Sequence, residues 1–178
     1  MLLLVDNGSV FTKDIANILS ITNVKFEQKT FDEINHEEIE KYDSYILSGR
    51  RNNDPKMNAK NSKIILHAVN EKKKLLGICY GTEILALTLG GTIRKSSVIR
   101  GEQEIISSEN PICTGKETVF ESHSYEISKL GNSLECIAES SNCKNEIVKH
   151  NELPIYGTQF HPEMTKDGQT MIEKFLKL

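Results

Sequence analysis

Three things are missing from this 178-residue chain: a CxxC pair, a phosphate-cradling GxxxxGK[ST] loop, and an apolar run of membrane-spanning length. Without CxxC spacing, the four cysteines (Cys79, Cys113, Cys136 and Cys143) do not read as a zinc site. No signal peptide pattern precedes them, so reduced thiols and a cytoplasmic location are expected. The opening MLLLVDNGS is apolar for too few residues to cross a bilayer or serve as a signal core, and it reads as a first strand. The missing phosphate loop argues against an ATP site in this chain. Strong charge of either sign is missing too: a formal net charge of -3 gives no electrostatic reason to expect nucleic acid or an anionic membrane as partner. There is no linker, repeat or low-complexity segment, so residues 1–178 are expected to form one domain.

What is present is the composition of a soluble globular protein, 38% hydrophobic and 26% charged, long enough to bury a core without disulfides or metals. LLLVD (2–6) is a short buried strand; in FTKDIANILSI, Phe11, Ile15, Ile18 and Leu19 recur at helical spacing. A second strand is predicted from Val24, then a short polar helix in EINHEEIEKY, a third buried strand SYILSG (44–49) and a polar loop RRNNDPKMN. Ile64, Ile65, Ala68 and Val69 share a helical face before KLLGI supplies a fourth strand and TEILALTLGG a helix stopped by Gly90 and Gly91. Alternating strands and helices predict an α/β fold with a mostly parallel central sheet flanked by helices. After Gly91 the segments GTIRK, EQEII, ETVFES, LECIAE, NEIVKH and PIYGTQF are short and strand-like, adding strands to the same sheet, and GQTMIEKFLKL closes the chain as a helix.

Gly77-Ile78-Cys79-Tyr80-Gly81 has the frame of a nucleophile elbow, in which flanking glycines permit a sharp strand-to-helix turn that exposes the central side chain. The helix beginning after Cys79 would aim free N–H groups at the sulfur and favour the thiolate, and the Tyr80 amide would be placed to bind an oxyanion. A small residue in a tight turn is the plainer explanation of the same five residues. A nucleophilic thiolate needs a proton carrier. Of His36, His67, His123, His150 and His161, the last stands directly after the strand-like PIYGTQF, with Glu163 close enough to orient its imidazole. His36, His67 and His150 are expected at the surface.

With GICYGTEILA and GTQFHPEM both in hand, the chain resembles the class I (triad) glutamine amidotransferases, and motif order and separation agree over nearly its whole length. The resemblance implies a flavodoxin-like architecture and hydrolysis of L-glutamine to glutamate and ammonia. Cys79 would attack the side-chain amide, His161 would carry the proton, and Glu163 would orient His161. It implies no metal or cofactor in this chain, with ATP and magnesium needed only on an ATP-dependent synthetase partner that consumes the ammonia. Within the family, PIYGTQFHPE and FESHSYEI (120–127) look most like the stand-alone glutaminase subunit of archaeal guanosine monophosphate synthetase, whose partner is of the ATP pyrophosphatase type. VDNGSVFTKDIANIL is also similar to the glutaminase subunits of anthranilate and aminodeoxychorismate synthases.

Two positions depart from the family. Where members have Ser-Gly-Gly-Pro after the third strand, this chain has Ser48-Gly49-Arg50-Arg51, so the second oxyanion amide implied by the resemblance falls on Arg50. If Arg50 takes a glycine-like backbone, strain of about 1–3 kcal/mol is expected; the alternative is a merely solvated basic turn. Glu83 stands where many relatives have a substrate-contacting glutamine. Its carboxylate would accept from the α-ammonium of the substrate while opposing a nearby thiolate, or would simply be a helix-start acid. Gly49 and Ser124 complete the substrate contacts the resemblance implies, and His123 is expected either to order the glutamine pocket or to be structural. Outside the enzyme class, a catalytically silent glutamine-sensing subunit fits the altered Arg50 loop. A cysteine hydrolase or peptidase on the same scaffold is a third reading.

Overall fold

The computed structural model describes residues 1–178; the side chain of His36 lies outside the described residues. Strands β1 (Leu2–Asn7), β2 (Phe26–Thr30), β3 (Ser44–Arg50), β4 (Lys74–Ile78) and β9 (Ile155–Thr158) make a parallel half-sheet in the order β2-β1-β3-β4-β9. It continues through β8 (Ile147–His150), β7 (Leu134–Glu139), β5 (Thr92–Ser107) and β6 (Gly115–Lys129), paired antiparallel, into one nine-stranded sheet. The α/β class and the addition of the second half to the same sheet agree with the sequence pattern.

Alternation along each strand divides the apolar residues between two layers. Leu2 and Leu4 face helices α1 (Thr12–Ile21) and α4 (Lys166–Leu176), meeting Ile15, Leu19, Ile172 and Phe175. Leu3 and Val5 face α2 (Pro55–Asn70) and α3 (Tyr80–Thr88), meeting Ile64, Ile65 and Leu85. Side chains such as Leu3, Leu4, Ile46 and Leu47 are fully buried, each contributing about 1.5–3 kcal/mol.

Local chemistry moves several boundaries. The predicted polar helix is instead two short 3-10 turns, Phe31–Glu33 and His36–Lys41; Glu33 folds back to accept from the Thr30 amide at 2.8 Å, which tightens the chain before an α-helix can propagate. The predicted loop after β3 is shorter than expected, because Asp54 accepts from the amides of Lys56 and Met57 and Pro55 takes the first helical position, starting α2 early. GTIRK and EQEII are one strand, β5, interrupted by an irregularity between Lys95 and Ile99. His150 is buried, not at the surface: its Nδ1 accepts from the amides of Glu152 and Leu153 at 3.1 and 3.2 Å, so it closes the turn after β8. His67 is half-buried, edge-on to the Tyr45 ring at 6.2 Å. Among the described residues no helix is long and apolar enough to cross a membrane.

Candidate active site

Cys79 sits at the turn between β4 and α3 with φ 50 and ψ -103, a backbone conformation that residues with a Cβ rarely adopt. Its flanking glycines are there because the helix start folds tightly onto the sheet. A Cβ on Gly77 would stand 2.5 Å from the Gly81 carbonyl oxygen, and one on Gly81 would stand 2.3 Å from that of Leu47. The Cys79 amide donates to the Thr158 carbonyl at 2.7 Å, and the Cys79 carbonyl accepts from the amides of Thr82 and Glu83. The Thr82 hydroxyl lies within 2.9 and 2.7 Å of the carbonyls of Gly77 and Thr158, tying the elbow to β9.

That tie brings in the histidine. β4 pairs with β9 in the register Ile78 to Thr158, so the chain leaving β9 delivers His161 to the end of the sheet where Cys79 stands. The His161 amide donates to the Phe120 carbonyl at 2.8 Å, and the ring packs edge-on against Phe11 at 4.8 Å. Its Nδ1 lies 2.8 Å from Glu163 Oε1, with both side chains buried. Gly49 borders the same ring: a Cβ there would come within 3.0 Å of His161 Cε1. β3 pairs with β4 in the register Leu47 to Gly77, so adjacent strand ends converge on one place.

A cavity of about 240 Å³ opens over the elbow, lined by Cys79, Tyr80, Glu83, Arg50, His123 and Ser124 among others. Burial, then the Glu83 carboxylate, then Glu163 push the Cys79 thiol well above its ordinary range, against one opposing hydrogen bond from the Tyr80 amide. The expected resting thiolate is therefore not supported: desolvation and the carboxylates of Glu83, Glu163 and Glu121 outweigh the helix-start amide. Glu83 is buried in the first turn of α3, and burial raises its carboxyl while Arg50 and His123 pull it down.

Arg50 differs from both sequence expectations. Its φ is not positive, so the glycine-like strain does not arise. Nor is it a solvated turn: its guanidinium lies 3.4 Å from Glu83, stacks 4.3 Å from the Tyr80 ring centroid and donates to Asn53. Arg51 is exposed.

The sequence pattern did not single out the group that holds the loop. Asn7, at the end of β1, donates from its backbone to Ser48 Oγ at 2.9 Å and from its side chain to the Ser48 carbonyl at 3.1 Å. Asn61 of α2 in turn donates to Asn7 Oδ1 at 2.8 Å. The signal was an asparagine closing a strand that opens on four apolar residues, where a buried amide needs designated partners. A smaller groove of about 160 Å³ between Ile34, Ile39 and α2 is lined, among the described residues, by Lys60 and Lys63 and by no cysteine, serine or histidine.

Comparison with known proteins gives a consistent result. The family profile "Glutamine amidotransferase class-I" matches residues 3–178. The A subunit of glutamine-hydrolyzing GMP synthase from Pyrococcus furiosus is 34% identical over 190 residues, spanning 100% of this chain and 98% of that protein. The glutamine-hydrolyzing GMP synthase of Hamiltonella defensa is 28% identical over 98% of this chain, which spans only 36% of that longer protein. Among solved structures, a Thermoplasma acidophilum protein assigned to the same GMP synthase subunit superposes with a TM-score of 0.88 at 27% identity, covering 99% of this chain and 92% of that one.

Proposed function

This chain belongs to the class-I glutamine amidotransferase family, and from that premise we propose that it is a glutaminase subunit supplying ammonia to a separate synthetase, specifically GMP synthetase. The observation that carries the reading is the convergence of the Cys79 elbow with the His161–Glu163 pair at one end of the sheet. Because Cys79 rests as a thiol, the proton must leave as the sulfur attacks. His161 takes it on Nε2, since Nδ1 faces Glu163. Sγ bonds to the side-chain amide carbon of L-glutamine, and the oxyanion accepts from the Tyr80 amide and, in this proposal, the Arg50 amide. The amide C–N bond breaks as His161 returns the proton to the departing ammonia. Water, deprotonated by the same imidazole, then cleaves the thioester to release glutamate and Cys79.

Glu83, Gly49 and Ser124 are proposed to bind the substrate. Glu83 would accept from the α-ammonium, Gly49 leaves room beside His161, and Ser124 is on the pocket wall. Replacing Glu83 by glutamine is expected to raise KM for glutamine about tenfold by removing a charge-assisted hydrogen bond, without lowering kcat. Michaelis curves for ammonia release measure both, and an unchanged KM removes Glu83 from the binding set.

The partner is proposed to be a synthetase of the ATP pyrophosphatase type, which would hold the ATP and magnesium. Support comes from the relatives that are themselves named as one subunit of a GMP synthase, and from the longer GMP synthase of which this chain spans about a third. The test has two steps. A glutamine-analogue electrophile is expected to add its mass to Cys79; reversible glutamine binding without labelling would favour a silent sensor. Mixing with the ATP pyrophosphatase partner, ATP, magnesium, xanthosine monophosphate and glutamine is then expected to yield GMP. Turnover only with a chorismate-utilising partner would reassign the acceptor.

A further inference from the structure

Helix α2 contributes no residue to the wall of the catalytic pocket, yet its side chains hold both segments that carry the proposed oxyanion donors. The first hold runs through two buried carboxamides. Asn61 of α2 and Asn7 of β1 face each other as a reciprocal pair: Asn61 Nδ2 donates to Asn7 Oδ1 at 2.8 Å, and Asn7 Nδ2 donates to Asn61 Oδ1 at 3.3 Å. Each nitrogen has a second acceptor. Asn61 Nδ2 reaches the Met57 carbonyl one turn back in α2 at 2.9 Å, and Asn7 Nδ2 reaches the Ser48 carbonyl at 3.1 Å. The pair therefore ties the backbone of α2 to β3 with every amide donor in use.

Ser48 passes the constraint on. Its buried hydroxyl accepts from the Asn7 amide and donates to the Gly49 carbonyl, both at 2.9 Å. The two peptide oxygens before Arg50, those of Ser48 and Gly49, are thus both held. A trans peptide is planar, so holding the Gly49 oxygen also fixes the direction of the Arg50 N–H on the same plane.

The second hold is on Tyr80. Its hydroxyl donates to Asn58 Oδ1 at 2.8 Å, and Asn58 stands three positions before Asn61, on the same side of α2. Asn58 Nδ2 donates to Asn53 Oδ1 at 3.2 Å; that oxygen also accepts from the Arg50 guanidinium, which stacks on the Tyr80 ring.

We propose that Asn61 and Asn58 are positioning residues for the oxyanion site, setting the Arg50 and Tyr80 amides relative to each other from one helix without lining the pocket. The proposal rests on the glutaminase reading, because two amides need a shared aim only where an oxyanion forms between them. A carboxamide suits position 61, since it offers a donor and an acceptor in one plane. An aspartate there would turn an oxygen toward the Asn7 and Met57 acceptors.

Asn61→Leu is expected to lower kcat for ammonia release about 10²-fold, the loss that accompanies a displaced catalytic donor, with KM for glutamine nearly unchanged. Alkylation of Cys79 by iodoacetamide builds no oxyanion, so its rate is expected to stay near that of wild type. An unchanged kcat overturns the proposal, and so does a parallel change in kcat, KM and alkylation, which would mean that the pocket as a whole had collapsed. Asn58→Ala, at a half-buried position, is the milder probe and is expected to lower kcat about tenfold with the same constancy of KM and alkylation. The double variant Asn7→Leu/Asn61→Leu leaves neither carboxamide facing an apolar group, so it is expected to melt above Asn61→Leu while kcat stays low. Recovery of kcat together with stability would overturn the proposal, because a purely structural role predicts that both return. A wild-type protein that releases no ammonia would instead defeat the glutaminase reading, and amide hydrogen exchange then decides the positioning. Asn61→Leu is expected to speed exchange at Ser48 and Gly49 about tenfold or more over wild type, and unchanged exchange there overturns it.

Discussion

Cys79→Ala is expected to reduce ammonia release from glutamine by about 10⁴-fold or more, with or without the synthetase partner. The size follows from the role: without the sulfur there is no thioester, and the remaining oxyanion amide and binding contacts cannot divide the reaction into two lower barriers. The loss is not a folding artefact, because removing one sulfur atom from a residue at the pocket floor leaves the Gly77–Gly81 contact and the Cys79 backbone bonds in place. Alanine still has a Cβ and retains the strain of φ 50. Cys79→Gly releases it, so the glycine variant is expected to be equally inactive but more stable than the alanine variant by about 1 kcal/mol or more. Ammonia release and urea midpoints on the two variants separate chemistry from folding. Undiminished release from either removes Cys79 as the nucleophile.

A large stability effect is expected at Gly81. A Cβ there would meet the Leu47 carbonyl oxygen at 2.3 Å, backbone against backbone, so α3 must lift from β3 or the strand must bend. Gly81→Ala is expected to cost about 3 kcal/mol or more, a large part of the stability of a single domain. Gly90 provides the contrast. Its φ of +87 also disfavours a side chain, yet a Cβ there meets nothing within 4 Å. Gly90→Ala should therefore cost only the conformational penalty, about 1–2 kcal/mol. Urea denaturation of both variants tests the distinction. Equal losses would mean that close approach of the helix to the sheet adds nothing at the elbow glycine.

Local features were legible in the sequence wherever cause and effect lie within a few residues. The Gly77-Ile78-Cys79-Tyr80-Gly81 frame announced a turn, and the turn is there. His161 and Glu163 are two residues apart, and their 2.8 Å contact follows from that spacing. Apolar periodicity located β1, β3, β4 and their helices, because side-chain alternation and helical faces are properties of short windows. The same locality misjudged His150: a charged stretch around it suggested solvent, while two amides of the following turn close on its ring.

By itself, then, the sequence determined the family pattern, the α/β layering and the glycine-framed turn at Cys79, since each is written in residue type and near-neighbour spacing. Tertiary structure alone decided the charge state of the pocket. Arg50 meets Glu83 across 33 positions, and the His161 amide meets the Phe120 carbonyl from a distant part of the chain. Burial, ahead of any single neighbour, then raises the Cys79 thiol. Desolvation depends on everything that surrounds a group, and no short window of sequence contains that information.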